Sequence, residues 1–104
     1  MQMSIPKAAL VTGSAKRLGR AIAEDLASHG FAIALHANTS IDECEALAAS
    51  MRADGHRVAA LKADLANISE TASLISRAEA EIGPIGLLVN NASVFEEDNA
   101  DAFD

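Results

Sequence analysis

A glycine turn between a short apolar run and a helical segment constrains the fold more than any other feature of the chain. The run Ala8–Val11 predicts a strand buried on both faces, and the segment that begins at Arg20 predicts a helix. Gly13 lets the chain bend and a ligand approach, and Gly19 lets the helix pack near the strand. Such a turn directs backbone N–H groups and the positive end of a helix dipole toward a phosphate. On the two glycines alone, a turn that binds nothing is an equally good interpretation.

Apolar runs and helix signals alternate along the rest of the chain. Further strands are predicted at Phe31–Leu35, Val58–Leu61 and Ile85–Val89. Capping signals predict helix starts at Ser40 with Glu43 and at Asn67 with Glu70, and glycines predict the helix ends. Apolar residues at helical spacing predict one core-facing side for each helix. The predicted faces are Leu18, Ile22 and Leu26 in the first helix; Cys44, Leu47, Ala48 and Met51 in the second; and Ile68, Ala72, Ile75 and Ile82 in the third.

Four predicted strands joined by three crossover helices are typical of an α/β fold with a doubly wound parallel sheet. The expected strand order is 3-2-1-4, and ligands of such sheets bind beyond the carboxyl ends of the strands, near the reversal of that order. Four loops should meet there: the glycine turn, His36–Ser40, Ala63–Leu65 and Asn90–Ser93. This convergence of polar residues favours a ligand site over an empty turn.

Composition and charge narrow the functions further. The 104 residues suit one domain, and a formal charge of −7 disfavours a nucleic-acid or anionic-membrane partner. Cys44 is the only cysteine, so no internal disulfide forms. No apolar run approaches the roughly 18 residues of a membrane-spanning helix, and Met1–Lys7 lacks the pattern of a secretory signal. We therefore expect a cytoplasmic protein.

Three motifs in register resemble the short-chain dehydrogenase/reductase family. They are Thr12-Gly13 with Arg17 and Gly19, Asp64-Leu65, and the run Leu88–Ser93. Arg17 in place of a glycine, together with Leu35-His36, is similar to the pteridine-reductase branch of that family. The resemblance covers the whole chain. It implies that residues 1–104 form a single NAD(P)-binding domain, an incomplete Rossmann-type fold that lacks the catalytic C-terminal part.

The same resemblance implies roles toward a nucleotide cofactor. The backbone of Ser14–Leu18 and the side chain of Arg17 would hold the pyrophosphate, and Asp64 with the Leu65 backbone would bind the adenine ring. The residues Asn91–Ser93 would line the adenosine ribose and the floor under the nicotinamide. Ordinary turn chemistry is the competing interpretation for Asp64, and a solvated turn residue is the competing one for Arg17. The predicted cofactor-binding residues are Gly13, Ser14, Lys16, Arg17, Leu18, Gly19, His36, Ala37, Asn38, Thr39, Ser40, Ala63, Asp64, Leu65, Asn91, Ala92 and Ser93.

The segment after the second predicted strand indicates NADP(H) rather than NAD(H). A carboxylate there would pair with a ribose 2′-hydroxyl and repel a 2′-phosphate, and the segment has no acid before Asp42. Thr39 and Ser40 can donate hydrogen bonds, His36 adds a ring N–H, and Lys16 is expected near the same corner. Close relatives often carry Arg where Thr39 stands, which weakens the expected phosphate affinity. For His36, a half-solvated residue at the strand end is the competing interpretation.

The catalytic groups of the resembled family do not occur in the chain. That family transfers hydride to carbonyls or imines with a tyrosine acid, a lysine four residues later and a serine. This chain has no tyrosine and no lysine after Lys62, and its histidines show no metal-ligand spacing. We expect no catalytic or metal site and no activity of the chain alone.

Three hypotheses remain open from the sequence. The first is the cofactor-binding half of an NADP-dependent reductase that acts on a carbonyl or a pterin-like imine. The second is a truncated, catalytically silent protein that binds nucleotides or only associates with itself. The third is a receiver-like signalling module, against which Thr12-Gly13 argues, because a receiver needs acids after its first strand.

The fourth predicted strand, Ile85–Val89, would form a sheet edge in a chain that stops soon after it. It is apolar and contains no lysine, proline or bulge signal that would block pairing. The sequence therefore predicts a homo-oligomer formed through this edge. The alternative is that the acidic tail Asn90–Asp104 folds over the edge and keeps the chain monomeric.

Overall fold

The computed structural model describes residues 5–91, in which strands and helices alternate. All strand pairs are parallel, and the order β3-β2-β1-β4 confirms the predicted α/β doubly wound topology. The fourth strand begins two residues later than predicted, where the Ile85 N–H donates to the Glu79 carboxylate (3.2 Å). The elements are β1 (Ala8–Val11), α1 (Arg17–Ser28), β2 (Ala32–Ala37), α2 (Ile41–Ala53), β3 (Val58–Lys62), α3 (Ile68–Ile82) and β4 (Leu87–Val89).

The second strand is longer than the sequence predicts. The predicted run ended at Leu35, but His36 and Ala37 continue the strand and pair with the end of β3. From residue type alone, a histidine after an apolar run is expected to end the strand, because histidine is often partly exposed. His36 is instead fully buried. Its burial is tolerated because both ring nitrogens have backbone partners, described below. The loop that follows β2 therefore begins at Asn38.

Side chains alternate between two cores, one on each face of the sheet. On one face, Val11, Ile33 and Leu35 pack with buried residues of α1 and α2. On the other face, Leu10 and Ala34 pack with buried residues of α3. All four residues of β1 are buried, as expected of a central parallel strand covered on both faces. The two cores hold the carboxyl ends of β1 and β2 side by side at one edge of the sheet.

Two of the three predicted helix faces are only partly correct. The second helix buries the predicted set. In the first helix, Ile22 and Leu26 are half-buried against the core as predicted, but the fully buried residues are small and Leu18 is 64% exposed. The third helix buries Ile82 as predicted, but its other buried residues lie on a face rotated from the predicted one, and Ile68 is 86% exposed. The pattern of large apolar residues misses small ones, which allow a helix to lie closer to the sheet. The residues buried are Gly19, Ala23 and Ala27 in α1, and Leu74, Ala78 and Ile82 in α3.

The starts of α2 and α3 lie where the capping signals predict them, although only one of the two predicted caps has its side-chain bond. Asn67 precedes α3, and its side-chain oxygen accepts the N–H of Glu70 at 3.2 Å. Ser40 precedes α2, but within residues 5–91 its hydroxyl makes no capping bond. The first turn of α2 is stabilised instead by Asp42 and Glu43, whose charges complement the helix dipole.

Candidate functional site

The glycine turn connects β1 to α1 at the carboxyl edge of the sheet. Gly13 has a φ of 63°, a backbone conformation that residues with a Cβ rarely adopt. Gly19 lies in the first turns of α1, where an added Cβ would be 2.2 Å from the Gly13 oxygen and 2.8 Å from Asn91 Nδ2. The helix therefore touches the turn and the end of β4 directly, which is the close approach that the sequence predicts for Gly19.

Arg17 holds an unusual backbone conformation at the start of α1. Its φ of 33° lies in the left-handed region, and within residues 5–91 no other non-glycine residue has a positive φ. This geometry explains why a glycine is common at this place in nucleotide loops. A side chain there costs about 1–2 kcal/mol in backbone strain. The Arg17 side chain is exposed at the mouth of the turn.

The N-terminus of α1 is arranged differently from those of the other helices. Its N-cap, Lys16, makes no side-chain capping bond to any described residue, and its first turn contains no acid. Lys16, Arg17 and Arg20 place positive charge where the helix dipole disfavours it, although Arg20 pairs with Glu24 at 3.4 Å. The first turns of α2 and α3 carry acids instead. The start of α1 is thus the positively charged helix end at the carboxyl edge.

Free N–H groups are found only in part of the predicted phosphate loop. The N–H of Gly13 donates to His36 Nδ1 (3.0 Å), and the N–H of Ser14 donates to the His36 oxygen (2.9 Å). Ser14 is fully buried, and its hydroxyl accepts the N–H of His36 at 2.8 Å. In this arrangement Ser14 supports the turn, and its N–H and hydroxyl are both engaged by the backbone of His36. Within residues 5–91, the N–H groups of residues 15–18 donate to no protein acceptor, because they precede the hydrogen-bonded part of the helix.

His36 joins two of the loops that meet at this edge. Its Nδ1 accepts the N–H of Gly13, and its Nε2 lies 2.9 Å from the Ala63 oxygen. Because a carbonyl oxygen only accepts, Nε2 carries the proton and the ring is the neutral Nε2–H tautomer. The half-solvated alternative for His36 is wrong, since the residue is fully buried. In the described residues its ring nitrogens bond to backbone groups of Gly13 and Ala63, where a cofactor phosphate was expected. The sequence signal that could have shown this is its place between the apolar residues Leu35 and Ala37.

The end of β4 is tied to the same turn. The Thr12 hydroxyl donates to Asn90 Oδ1 at 3.3 Å, which links the residue after β4 to the end of β1. Asn91 Nδ2 donates to the Gly13 oxygen at 3.2 Å. The predicted ribose and nicotinamide contacts of Ala92 and Ser93 fall outside the described residues. Asn90 and Asn91 thus fix the distance between β4 and the glycine turn.

Hydrogen bonds to two carboxylates, Asp64 and Glu70, hold the loop after β3 in its conformation. Asp64 Oδ1 accepts the N–H of Ala66 at 2.9 Å, which is the turn chemistry expected as the alternative to adenine binding. The N–H of Asp64 donates to Glu70 Oε1 at 3.0 Å. The second carboxylate oxygen of Asp64 makes no hydrogen bond within residues 5–91, so one oxygen stays available to a ligand. Ala63 is fully buried and Leu65 is half-buried beneath this loop.

The loop between β2 and α2 is short and carries no charge. Ala37 is buried in β2, and its oxygen accepts the N–H of Ala63 at 3.2 Å. Asn38 and Ser40 are half-buried, and Thr39 is exposed. A ligand at this corner would therefore meet polar neutral groups first, as the sequence predicts, with the first acid at Asp42.

Other chemistries have little support in the part of the chain that is described. Burial raises the pKa of the Cys44 thiol to about 11, an effect that Glu45 adds to and the neighbouring Ser14 hydroxyl opposes, so the group is not a nucleophile at neutral pH. Residues 5–91 contain no group of three or more side chains that could hold a metal ion. No helix within the same range is long and apolar enough to cross a membrane.

A parallel sheet of order 3-2-1-4, with a glycine turn between its first strand and first helix, defines the class of Rossmann-type α/β proteins that bind nucleotides. Within that class, the chain belongs to the short chain dehydrogenase family, which it matches over residues 7–104. The resemblance carried by its three motifs is thereby confirmed.

Individual relatives agree with this placement. The chain is similar to the 2-dehydro-3-deoxy-D-gluconate 5-dehydrogenase of Formosa agariphila, at 37% identity over 86% of this chain and 34% of that protein. It is similar to the structure of FolM alternative dihydrofolate reductase 1 from Brucella suis in complex with NADP, with 48% identity and a TM-score of 0.81 over 89% of this chain and 37% of that one. A short chain dehydrogenase from Burkholderia cenocepacia in complex with NADP shows 34% identity and a TM-score of 0.79 over 88% of this chain and 38% of that one. The chain thus spans little more than a third of the length of these proteins.

Proposed function

We propose that the chain is the NADP(H)-binding part of a short chain oxidoreductase that transfers hydride to a carbonyl or a pterin-like imine. The observation that carries the proposal is the start of α1, where basic side chains lie beside N–H groups that donate to no acceptor within residues 5–91. The positive charges of these side chains destabilise the helix N-terminus when no anion is bound, and a bound pyrophosphate would compensate them. NADP in the two similar structures supports the choice of ligand.

Different residues would bind the pyrophosphate and the adenine of the cofactor. The N–H groups of residues 15–18 and the Arg17 guanidinium would hold the pyrophosphate, and the open oxygen of Asp64 would accept from the adenine amino group. The reduced cofactor, when bound, would supply the hydride. The chain contains no tyrosine to donate the matching proton, so we propose that the general acid lies outside these 104 residues and that the chain alone is catalytically silent.

We expect NADP⁺ to bind more tightly than NAD⁺, because the loop 38–40 has no carboxylate to repel a 2′-phosphate. Substituting Thr39→Asp should weaken NADP⁺ binding by about tenfold, roughly 1.4 kcal/mol, and should leave NAD⁺ binding equal or stronger. The exposed Thr39→Asn variant is the matched control, since it changes shape and polarity without charge. Calorimetric titration of both cofactors at low salt measures the preference. Tighter binding of NAD⁺ by the unsubstituted chain would contradict it.

Two substitutions of Arg17 distinguish the effect of its charge on binding from the effect of its backbone strain on stability. Both Arg17→Ala and Arg17→Gly remove the guanidinium, so each should weaken NADP⁺ binding by about 1.5–3 kcal/mol, the range for a hydrogen bond to a charged group. The glycine variant also relieves the left-handed φ and should be about 1 kcal/mol more stable than the alanine variant. Titration calorimetry and urea unfolding measure the two effects. Unchanged affinity in both variants would show that Arg17 points to solvent.

We also propose self-association through β4, as a second property of the chain. Within the described sheet, β4 has a neighbour on one side only, β1. Leu87 and Leu88 of β4 are 37% and 54% exposed and lie on opposite faces of the sheet. Exposed apolar edge strands favour pairing with another strand.

A further inference from the structure

We propose that His36 is a positioning residue that holds the phosphate-binding turn and the adenine-binding loop in one fixed arrangement, so that both parts of the cofactor bind to a preformed surface. This role rests on the proposed function, because it acts on the same nucleotide site. It differs from the phosphate contact that the sequence suggested, since both ring nitrogens are engaged by backbone groups of the two loops.

The geometry of the ring supports this role. Nδ1 accepts from Gly13, which is 23 residues away in the chain, and Nε2 donates to the Ala63 oxygen, which is 27 residues away. Gly13 begins the turn that leads to the free N–H groups, and Ala63 immediately precedes Asp64. One buried imidazole thus fixes both loops relative to each other, and only the neutral Nε2–H tautomer can make both bonds.

The backbone of His36 adds two further links to the turn. Its N–H donates to the Ser14 hydroxyl at 2.8 Å, and its oxygen accepts the N–H of Ser14 at 2.9 Å. These bonds hold the turn whatever side chain occupies position 36. Substitutions of His36 therefore test the ring itself, and above all the bond to Ala63.

Two conservative variants separate the two ring bonds. The amide oxygen of an asparagine lies near the place of Nδ1 and can accept from Gly13, whereas the amide nitrogen of a glutamine lies near the place of Nε2 and can donate to Ala63. His36→Leu removes both. We expect His36→Leu to weaken NADP⁺ binding by at least about tenfold, consistent with the loss of two buried hydrogen bonds, and the other two variants to recover part of that loss.

The experiment combines titration calorimetry of NADP⁺ with urea unfolding of the whole chain. Met51→Ala is the control for lost stability, because Met51 is buried near the end of α2, away from the carboxyl edge of the sheet. It should lower the unfolding midpoint and leave NADP⁺ affinity unchanged. His36→Leu with unchanged affinity would overturn the proposal, and so would partial recovery in neither the asparagine nor the glutamine variant.

A spectroscopic measurement on the unsubstituted chain keeps the proposal testable if the variants do not fold. Nitrogen NMR of the His36 ring should show a protonated Nε2 and an unprotonated Nδ1, with a slowly exchanging Gly13 amide. The opposite tautomer, or a rapidly exchanging Gly13 amide, would overturn it. If the unsubstituted chain binds no NADP⁺ at all, the proposed function fails, whereas unchanged binding by the variants refutes only the role of His36.

Discussion

Substitution of Gly19 by alanine should destabilise the chain by about 3 kcal/mol, at the upper end of the usual cost of overpacking. In most helices the same change stabilises, by about 1 kcal/mol, because alanine is the better helix former. Here the new methyl group would lie 2.2 Å from the Gly13 oxygen and 2.9 Å from the Gly13 carbon. Backbone atoms cannot move aside as a flexible side chain can, so the helix must shift away from the turn.

The effect of Gly19→Ala is large enough to measure by heat or by urea. For a domain of this size, 3 kcal/mol corresponds to a fall in Tm of roughly 12–24 °C. Gly55→Ala is the matched control: its φ of 94° is strained for alanine, but no atom lies within 4 Å of the added Cβ. It should cost only about 1–2 kcal/mol. If Gly19→Ala were as stable as the unsubstituted chain, the close contact between α1 and the turn would be refuted.

The strand order and most element boundaries follow from local signals in the sequence. Short apolar runs, the cap at Asn67 and the glycines after the helices each determine the structure of only a few neighbouring residues. Together they define an alternation of strands and helices that favours one sheet topology. The same holds for the turn, since the sequence places Gly13 and Gly19 at the bend and at the close contact. Such features are predictable because their physical cause lies in neighbouring residues.

The features that could not be predicted depend on contacts between distant segments. The burial of His36 is possible only because Gly13 and Ala63 supply partners for its two ring nitrogens. The sequence shows a polar residue after an apolar run, and it does not show those partners. In the same way, Ser14 seemed available for a phosphate, although the backbone of β2 occupies its N–H and its hydroxyl.

The predicted faces of α1 and α3 were partly wrong for a different reason. The hydrophobic pattern gives weight to large side chains, so Leu18 and Ile68 seemed to be core residues. The sheet instead packs against Ala23, Ala27 and Ala78, which let the helices lie close to it. Small residues carry a weak signal in a sequence, and their role appears only when the distance between helix and sheet is known.

The second large effect concerns the oligomeric state. We expect the chain to form dimers through β4, and Leu88→Lys should weaken the dimer by at least about a hundredfold, roughly 2.8 kcal/mol. A lysine on an edge strand is a common device against pairing, because its charge would have to be buried in the new interface. In a symmetric pair, both copies would bring the charge to the same interface.

The control for Leu88→Lys is Leu18→Lys, which adds the same charge at a residue that is 64% exposed on α1, outside the proposed interface. Sedimentation velocity over a wide range of concentrations should show a monomer–dimer equilibrium for the unsubstituted chain and for Leu18→Lys. Leu88→Lys should sediment as a monomer over the same range. A monomer at all concentrations for the unsubstituted chain would show that β4 does not form an interface. Equal dimerisation of both lysine variants would show the same, because, of these two positions, only Leu88 lies on the edge strand.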